Sequence, residues 1–379
     1  MERSGLSVRG VTDKDLVSLS RAVGPFLSVY LTTEQKVENA AQRSGLHWEP
    51  LRRRLASVGA PEHLLGRVDD LVPDAHLEGS ALGMVVAADG ESVLDYHRQP
   101  VARDIGRFAA APSLGPLLAW RQERPSYVLV LADKAGADVV AVSGDEPPER
   151  VEAGGETFRI SKSRGGGWAH RRMLNRVEET WGRNSRQVAE ELDAAIARTG
   201  ARLVLVSGDP HAVSILESML PRETAEMTKL LSSGGGRAAD GGADQLGEEI
   251  SRLVASLVAE DTVAAIEQFR QERGEGRRAA DGPAAVFDAL RMAQVDVLLV
   301  HDDSADDDVE QAYFSPEDPT ICALSPDELA GLPTGSLERA RSTDVAVRAA
   351  LVSGAAVRLV PFHGGPEGGL GAILRWSGE

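Results

Sequence analysis

The chain of 379 residues carries 41 Lys and Arg against 58 Asp and Glu, a net charge of -17, with 42% hydrophobic, 26% charged and 4% aromatic residues. That length excludes a single small module and fits two or three domains, while the apolar content excludes wholesale disorder. A lone Cys322 excludes an internal disulfide and a cysteine-based zinc site.

The first twenty residues are charged throughout and lack the apolar core of a signal peptide. No stretch of about 18 uncharged apolar residues follows, so a cytoplasmic protein without a membrane partner is expected. The excess of acid repels nucleic acid at long range; DNA is not an expected partner, and RNA contact requires a local basic patch.

In chain order, the first block combines a strand in GPFLSVYLTT (Gly24 to Thr33) with a basic helix around HWEPLRRRLASVG. A hairpin follows in ALGMVVAADGESVLDYHRQ, turning at Asp89-Gly90. Arg52, Arg53 and Arg54 on the basic helix read as a solvated face or as an RNA contact. After Arg124-Pro125, SYVLVLADKAGADVVAVSG supplies two further strands. Ala169 to Ala197 predicts a long helix, because Met173, Val177, Trp181, Val188, Leu192 and Ile196 recur at helical spacing. ARLVLVSGD reads as a buried strand, and SSGGGRAADGGADQLG (Ser232 to Gly247) as a surface loop. A helix from about Glu248 to Arg273 leads into a polar linker, Gly274 to Gly282. Helices in AAVFDALRMAQ and STDVAVRAALVSG then alternate with strands in VDVLLVHD, AVRLVPF and GAILRW, the pattern of a small α/β sandwich.

Several chemistries are absent from the sequence. Neither GxxxxGK[ST] nor GxGxxG occurs, so no nucleotide cofactor has an obvious seat, and no HExxH pair presents two imidazoles to zinc. Asp302, Asp303, Asp306, Asp307 and Asp308 lack the glycine and terminal Glu of a calcium loop; neither a metal nor a cofactor is expected. Ser207, Asp209 and His211 read as strand-end turn chemistry and not as a triad.

The distinctive segment is RISKSRGGGWAHRRMLNRVEETWGRNSRQ, Arg159 to Gln187. Eight basic residues (Arg159, Lys162, Arg164, Arg171, Arg172, Arg176, Arg183 and Arg186) face two acids, Glu178 and Glu179, for a local charge of +6. Gly165, Gly166 and Gly167, directly before the helix, give a backbone able to approach a crowded partner closely. Arg172 and Arg176 are one turn apart, and guanidinium groups suit phosphates. Trp168 is suited either to stacking on a base or to packing beneath the loop. His170 is open to three readings: general base, RNA contact or surface residue.

RGGGWAHRRMLNRVEETWGRNSRQVAEEL resembles the central-domain loop and helix of archaeal and eukaryotic class-one peptide chain release factors, where a GGQ tripeptide precedes a long basic helix ending in a similar VAEE. Counting back from Val188-Ala189-Glu190-Glu191 sets that tripeptide on Gly166, Gly167 and Trp168. DALRMAQVDVLLVHDD is similar to the start of the family's third domain and GLGAILRW to its final strand, so the resemblance covers about Ser126 to Trp376. GPFLSVYLTT matches the bacterial branch. The whole is similar to the bacterial members of the archaeo-eukaryotic release factor superfamily, close to the second bacterial family, which includes Balon-type ribosome hibernation factors related to Pelota.

The resemblance implies an α/β protein of three domains: an N-terminal α/β domain over 1–122, a central mixed-sheet α/β domain over 123–275 carrying the Gly-rich loop, and a C-terminal α/β sandwich over 283–379. It implies a cytoplasmic ribosome-binding factor in the vacant A site, with Gly165 to Trp168 near the peptidyl transferase centre. Lys162, Arg164, Arg171, Arg172 and Arg176 would meet ribosomal RNA, and a translational GTPase such as elongation factor Tu would deliver the protein. Trp168 stands where the family's glutamine helps place water, so hydrolysis does not carry over directly. With His170 as a shifted substitute, the alternative is a peptidyl-tRNA hydrolase acting on stalled ribosomes. Neither a NIKS motif nor a cysteine of the stop-codon cavity is present in the first block, so codon reading is not implied.

Overall fold

The computed structural model of the protein describes residues 14–33, 39–133, 136–144, 148–154, 168–232, 243–276, 278–301, 310–361 and 365–376, with the backbone alone over 168–182. The chain forms two compact units, one from residues 1–122 with 260–379 and one from 123–259.

The first unit opens with α1 (Lys14–Arg21), β1 (Phe26–Thr32), α2 (Ala40–Ser57), α3 (Glu62–Leu71), α4 (Ala75–Glu78), β2 (Ala81–Ala87), β3 (Ser92–His97), β4 (Ile105–Ala109) and α5 (Gly115–Gln122). Its strands form an antiparallel sheet in the order β3-β2-β1-β4. The nearly continuous apolar run of β1 follows from burial on both faces. Leu27, Val29 and Leu31 pack with Trp48, Leu51, Leu64 and Val68 on one side. Phe26 and Tyr30 pack with Leu16, Leu19 and Leu117 on the other. Gly83 is required by this packing, because a Cβ there would lie 2.7 Å from the Trp120 ring. The hairpin turns at Asp89-Gly90 as expected, with Gly90 at φ 99°.

The second unit contains β5 (Tyr127–Ala132), β6 (Gly136–Val142), β7 (Glu149–Gly154), α6 (Trp168–Thr199), β8 (Val204–Gly208), α7 (Pro210–Met219), α8 (Arg222–Glu226) and β9 (Thr228–Leu230). The sheet order is β7-β6-β5-β8-β9, antiparallel through β7, β6 and β5 and parallel through β5, β8 and β9. This is the mixed sheet that the resemblance implies. Helix α9 (Ala243–Gly274) starts five residues earlier than the sequence pattern predicts, so Ala243 to Gly247 are helical, not loop. The division between the units, after Ala259, falls inside this helix. Residues 233–242 of the expected surface loop and the aspartates of 302–309 lie outside the described residues.

Returning to the first unit, the chain adds β10 (Ala279–Asp281), α10 (Pro283–Arg291), β11 (Val295–Val300), β12 (Gln311–Phe314), β13 (Cys322–Ala323), β14 (Glu338–Arg341), α11 (Ser342–Val352), β15 (Ala356–Leu359) and β16 (Leu370–Leu374). The main sheet runs β10-β16-β11-β15, and a small one runs β13-β12-β14. Ala265 and Phe269 of α9 cover Val297, Leu299 and Ile373 on one face, while α10 and α11 contribute Val286, Phe287, Val345 and Leu351 to the larger core. Helices and sheet together make the α/β sandwich expected for the C-terminal block. That larger core continues into residues 1–122, where it includes Phe26, Tyr30 and Trp120.

Candidate functional site

Helix α6 dominates the second unit and carries the basic segment. It extends from Trp168, directly after the glycine triplet, to Thr199, within two residues of the expected limits. Thr199 and Gly200 end it: the Thr199 hydroxyl donates to Ala195 O, and Gly200, at φ 64°, donates its N–H to Ile196 O at 2.8 Å. Val188, Leu192 and Ala195 are buried against Val128, Val130 and Val139 of the sheet and Val213 and Leu216 of α7. The helix is therefore anchored through its C-terminal half.

On the outward side of that half, Arg183 and Arg186 are exposed, followed by exposed Glu190 and Asp193. Arg198 is tied to Glu149 at 3.4 Å and to Glu191 at 3.1 Å. By sequence, the helix is mainly basic towards Trp168 and of mixed charge near Thr199. Lys162, Arg164, Gly165, Gly166 and Gly167 lie outside the described residues. Trp168, His170, Arg171, Arg172 and Arg176 are placed on α6 by their backbone, with positions 172 and 176 one turn apart; their side chains lie outside the description.

Beside α6, Asn184 and Ser185 border a small pocket with Ala132, Asp133, Gly136, Val188, Ala212 and Leu216. It lies at the carboxyl end of β5, next to the point where the sheet changes from antiparallel to parallel pairing. Sequence reasoning did not single out Asn184 and Ser185; the only signal was an uncharged polar pair interrupting a charged helix.

The Ser207 to His211 segment is turn chemistry, as its composition suggested. Asp209 caps α7 by accepting from the His211 and Ala212 N–H groups at 3.1 and 3.2 Å, with Pro210 in the first turn. Gly208, at φ 143°, passes so close to β5 that a Cβ would lie 1.9 Å from Ala132 O.

In the first unit, two of the three adjacent arginines of α2, Arg52 and Arg54, are engaged internally, whereas Arg53 is exposed. Arg52 donates to Asp69 at 2.9 and 3.0 Å and also bonds Glu62. Arg53 lies 3.5 Å from Glu49, and the Arg54 Nη2 donates to Gly106 O at 2.8 Å. Partial burial pushes the Asp69 carboxyl upward, but hydrogen bonds from Arg52 and Trp48 outweigh it and hold the group below its ordinary value. Arg52 in turn is raised by its bonds to Asp69 and Glu62. The Cys322 thiol is buried, and burial pushes it up to about 12. Among the described residues no group of His, Cys, Asp and Glu is placed to hold a metal, and no helix is long and apolar enough to cross a membrane.

A mixed sheet with a long helix anchored on one face defines the second unit as an α/β domain. Its sequence places it more narrowly. Residues 126–275 match the model of bacterial archaeo-eukaryotic release factor family 2. Over 367 residues, covering 95% of each chain, the protein is 29% identical to the uncharacterised proteins Rv2629 and MT2704 of Mycobacterium tuberculosis. Among solved structures it is similar to the archaeal translation termination factor aRF1, at 17% identity and TM-score 0.26, covering 96% of this chain and 95% of that one. Archaeoglobus fulgidus Pelota matches at 14% identity and TM-score 0.35, with 97% and 93% covered. Archaeal Pelota from a ribosome-bound assembly with ABCE1 matches at 14% identity and TM-score 0.41, with 79% and 78% covered.

Proposed function

We propose that the protein is a ribosome-binding translation factor that occupies the vacant A site of idle ribosomes. Its Gly-rich segment, Gly165 to Trp168, enters the region of the peptidyl transferase centre, and Lys162, Arg164, Arg171, Arg172 and Arg176 meet ribosomal RNA phosphates. The observation that carries this reading is a +6 segment in a chain of net charge -17, located within the part that matches a release factor family. An acidic protein gains access to RNA only where such a patch overcomes long-range repulsion. Of the three sequence blocks, 1–122 then lies towards the decoding site, 123–275 carries the tip, and 123–275 and 283–379 together contact the carrier. The resemblance to Balon-type hibernation factors adds a translational GTPase such as elongation factor Tu as the carrier. No chemical step is needed, since Trp168 has no group that places water as a glutamine does.

Cosedimentation with vacant ribosomes over a salt series tests the reading. Wild type is expected to cosediment at low salt and to be released steeply as salt rises. Replacing Arg171, Arg172 and Arg176 by Glu is expected to abolish low-salt binding, and replacing them by Ala to flatten the salt dependence by about one unit of slope per arginine. Unchanged cosedimentation in both variants overturns the reading. The hydrolytic alternative rests on His170, two residues beyond Trp168. Release of labelled peptide from ribosomal peptidyl-tRNA by wild type but not by His170→Ala would establish it, and no release by either removes it.

A further inference from the structure

Helix α1 has only eight residues, and its last carbonyls have no partner within the helix. Leu16, Leu19 and Ser20 of this helix are fully buried, so water cannot supply the missing donors there. Leu19 O accepts from the Ala22 N–H at 3.1 Å, while Ser20 O and, just past the helix, Ala22 O are met from α11, more than 300 residues away in the chain. The Arg348 Nε donates to Ser20 O at 2.9 Å and its Nη2 to Ala22 O at 2.7 Å.

Arg348 is itself 1% exposed, and its guanidinium lies 5.2 Å from the ring centroids of both Phe26 and Phe314. No carboxylate among the described residues is bonded to it, and its Nη1 has no partner among them. The charge is met instead by the negative end of a helix and by two aromatic faces. Burial pulls the group down to about 10, which leaves it a cation at neutral pH. Two more polar contacts join the same parts of the chain. The Ser113 hydroxyl donates to Asp344 at 2.8 Å. The Gln122 carboxamide both donates to Leu359 O and accepts from Leu359 N, each at 3.0 Å, capping the open edge of β15 as a neighbouring strand would. An apolar contact tolerates sliding, whereas a planar fork holding two carbonyls between two rings fixes one register.

We infer that Arg348 is a latch that makes residues 1–122 and 260–379 open and close as one body, so that whatever the N-terminal part binds is held in fixed register with whatever the C-terminal part binds. The inference stands apart from the ribosome reading. Amide hydrogen exchange on the full-length protein across sub-denaturing urea tests it. In wild type, α1 and α11 are expected to exchange through one shared opening with the same urea dependence. Arg348→Met, which keeps the length of the side chain but removes its donors, is expected to speed exchange in α1 by at least about tenfold while β5 and β6 are unchanged. Arg348→Lys, which retains donors for the two carbonyls, is expected to stay nearer to wild type. The latch is overturned if α1 opens independently of α11 in wild type, or if α1 exchange in Arg348→Met equals that of wild type. Should Arg348→Met fail to fold, the wild-type comparison and the lysine variant decide.

Discussion

Replacing Leu192 by alanine tests whether the basic helix is anchored as its burial indicates. Leu192 is fully buried, and the surrounding core includes Val128, Val130 and Val139 from strands that cannot collapse into the space left behind. Leucine-to-alanine changes at such sites cost about 2–5 kcal/mol, because a cavity adds to the lost transfer energy. A value of about 3 kcal/mol is expected here, which raises the unfolding constant of the central unit roughly 10²-fold. Urea unfolding with amide exchange in α6 and β5 reads this change residue by residue. Glu190→Ala, two positions earlier on the exposed side, serves as control and is expected within about 0.5 kcal/mol of wild type. A loss below about 1 kcal/mol at Leu192, or equal losses at the two positions, would refute the anchoring of α6.

Gly208→Ala is expected to destabilise the central unit strongly in thermal unfolding, since its Cβ would collide with Ala132 O at 1.9 Å and adopt a φ of 143°; a variant melting with wild type would contradict that contact. Cys322 is expected not to react with a thiol reagent at pH 8 until the protein unfolds, because burial raises its thiol to about 12; rapid labelling of native protein would disprove this. Asp69 has a folded value below its unfolded one, so its ties to Arg52 and Trp48 stabilise the fold above about pH 4 and are lost as pH falls further. Asp69→Asn should therefore unfold more readily than wild type at pH 7 and converge with it near about pH 2; a constant difference across that range would contradict the assignment.

What the sequence made legible depended on whether the determining interactions were local. The extent of α6 was readable to within two residues at either end because Val188, Leu192 and Ile196 repeat at helical spacing. Strand β1 was readable because FLSVYL is apolar at every position but Ser28. The small sheet was not, since β13 is just Cys322–Ala323 and no periodicity develops over two residues. The early start of α9 was hidden by glycines that suggested a loop. Arg348 was the least visible. In STDVAVRAALV it looks like an ordinary charged position on a helix, and only the fold reveals Phe26, Phe314 and the α1 carbonyls around it. Of the proposed site, the residue types and the helix could be read, while the engagement of Arg52 by Asp69 and Glu62 required the arrangement of α2 against α3.

A single-particle reconstruction of vacant bacterial ribosomes incubated with the full-length protein addresses the proposal most directly. Density for the protein in the A site, with Gly165 to Trp168 inside the peptidyl transferase cavity and Arg171, Arg172 and Arg176 against RNA phosphates, is the predicted result. Particles that carry the protein elsewhere, or with that segment turned away from the large subunit, would contradict it.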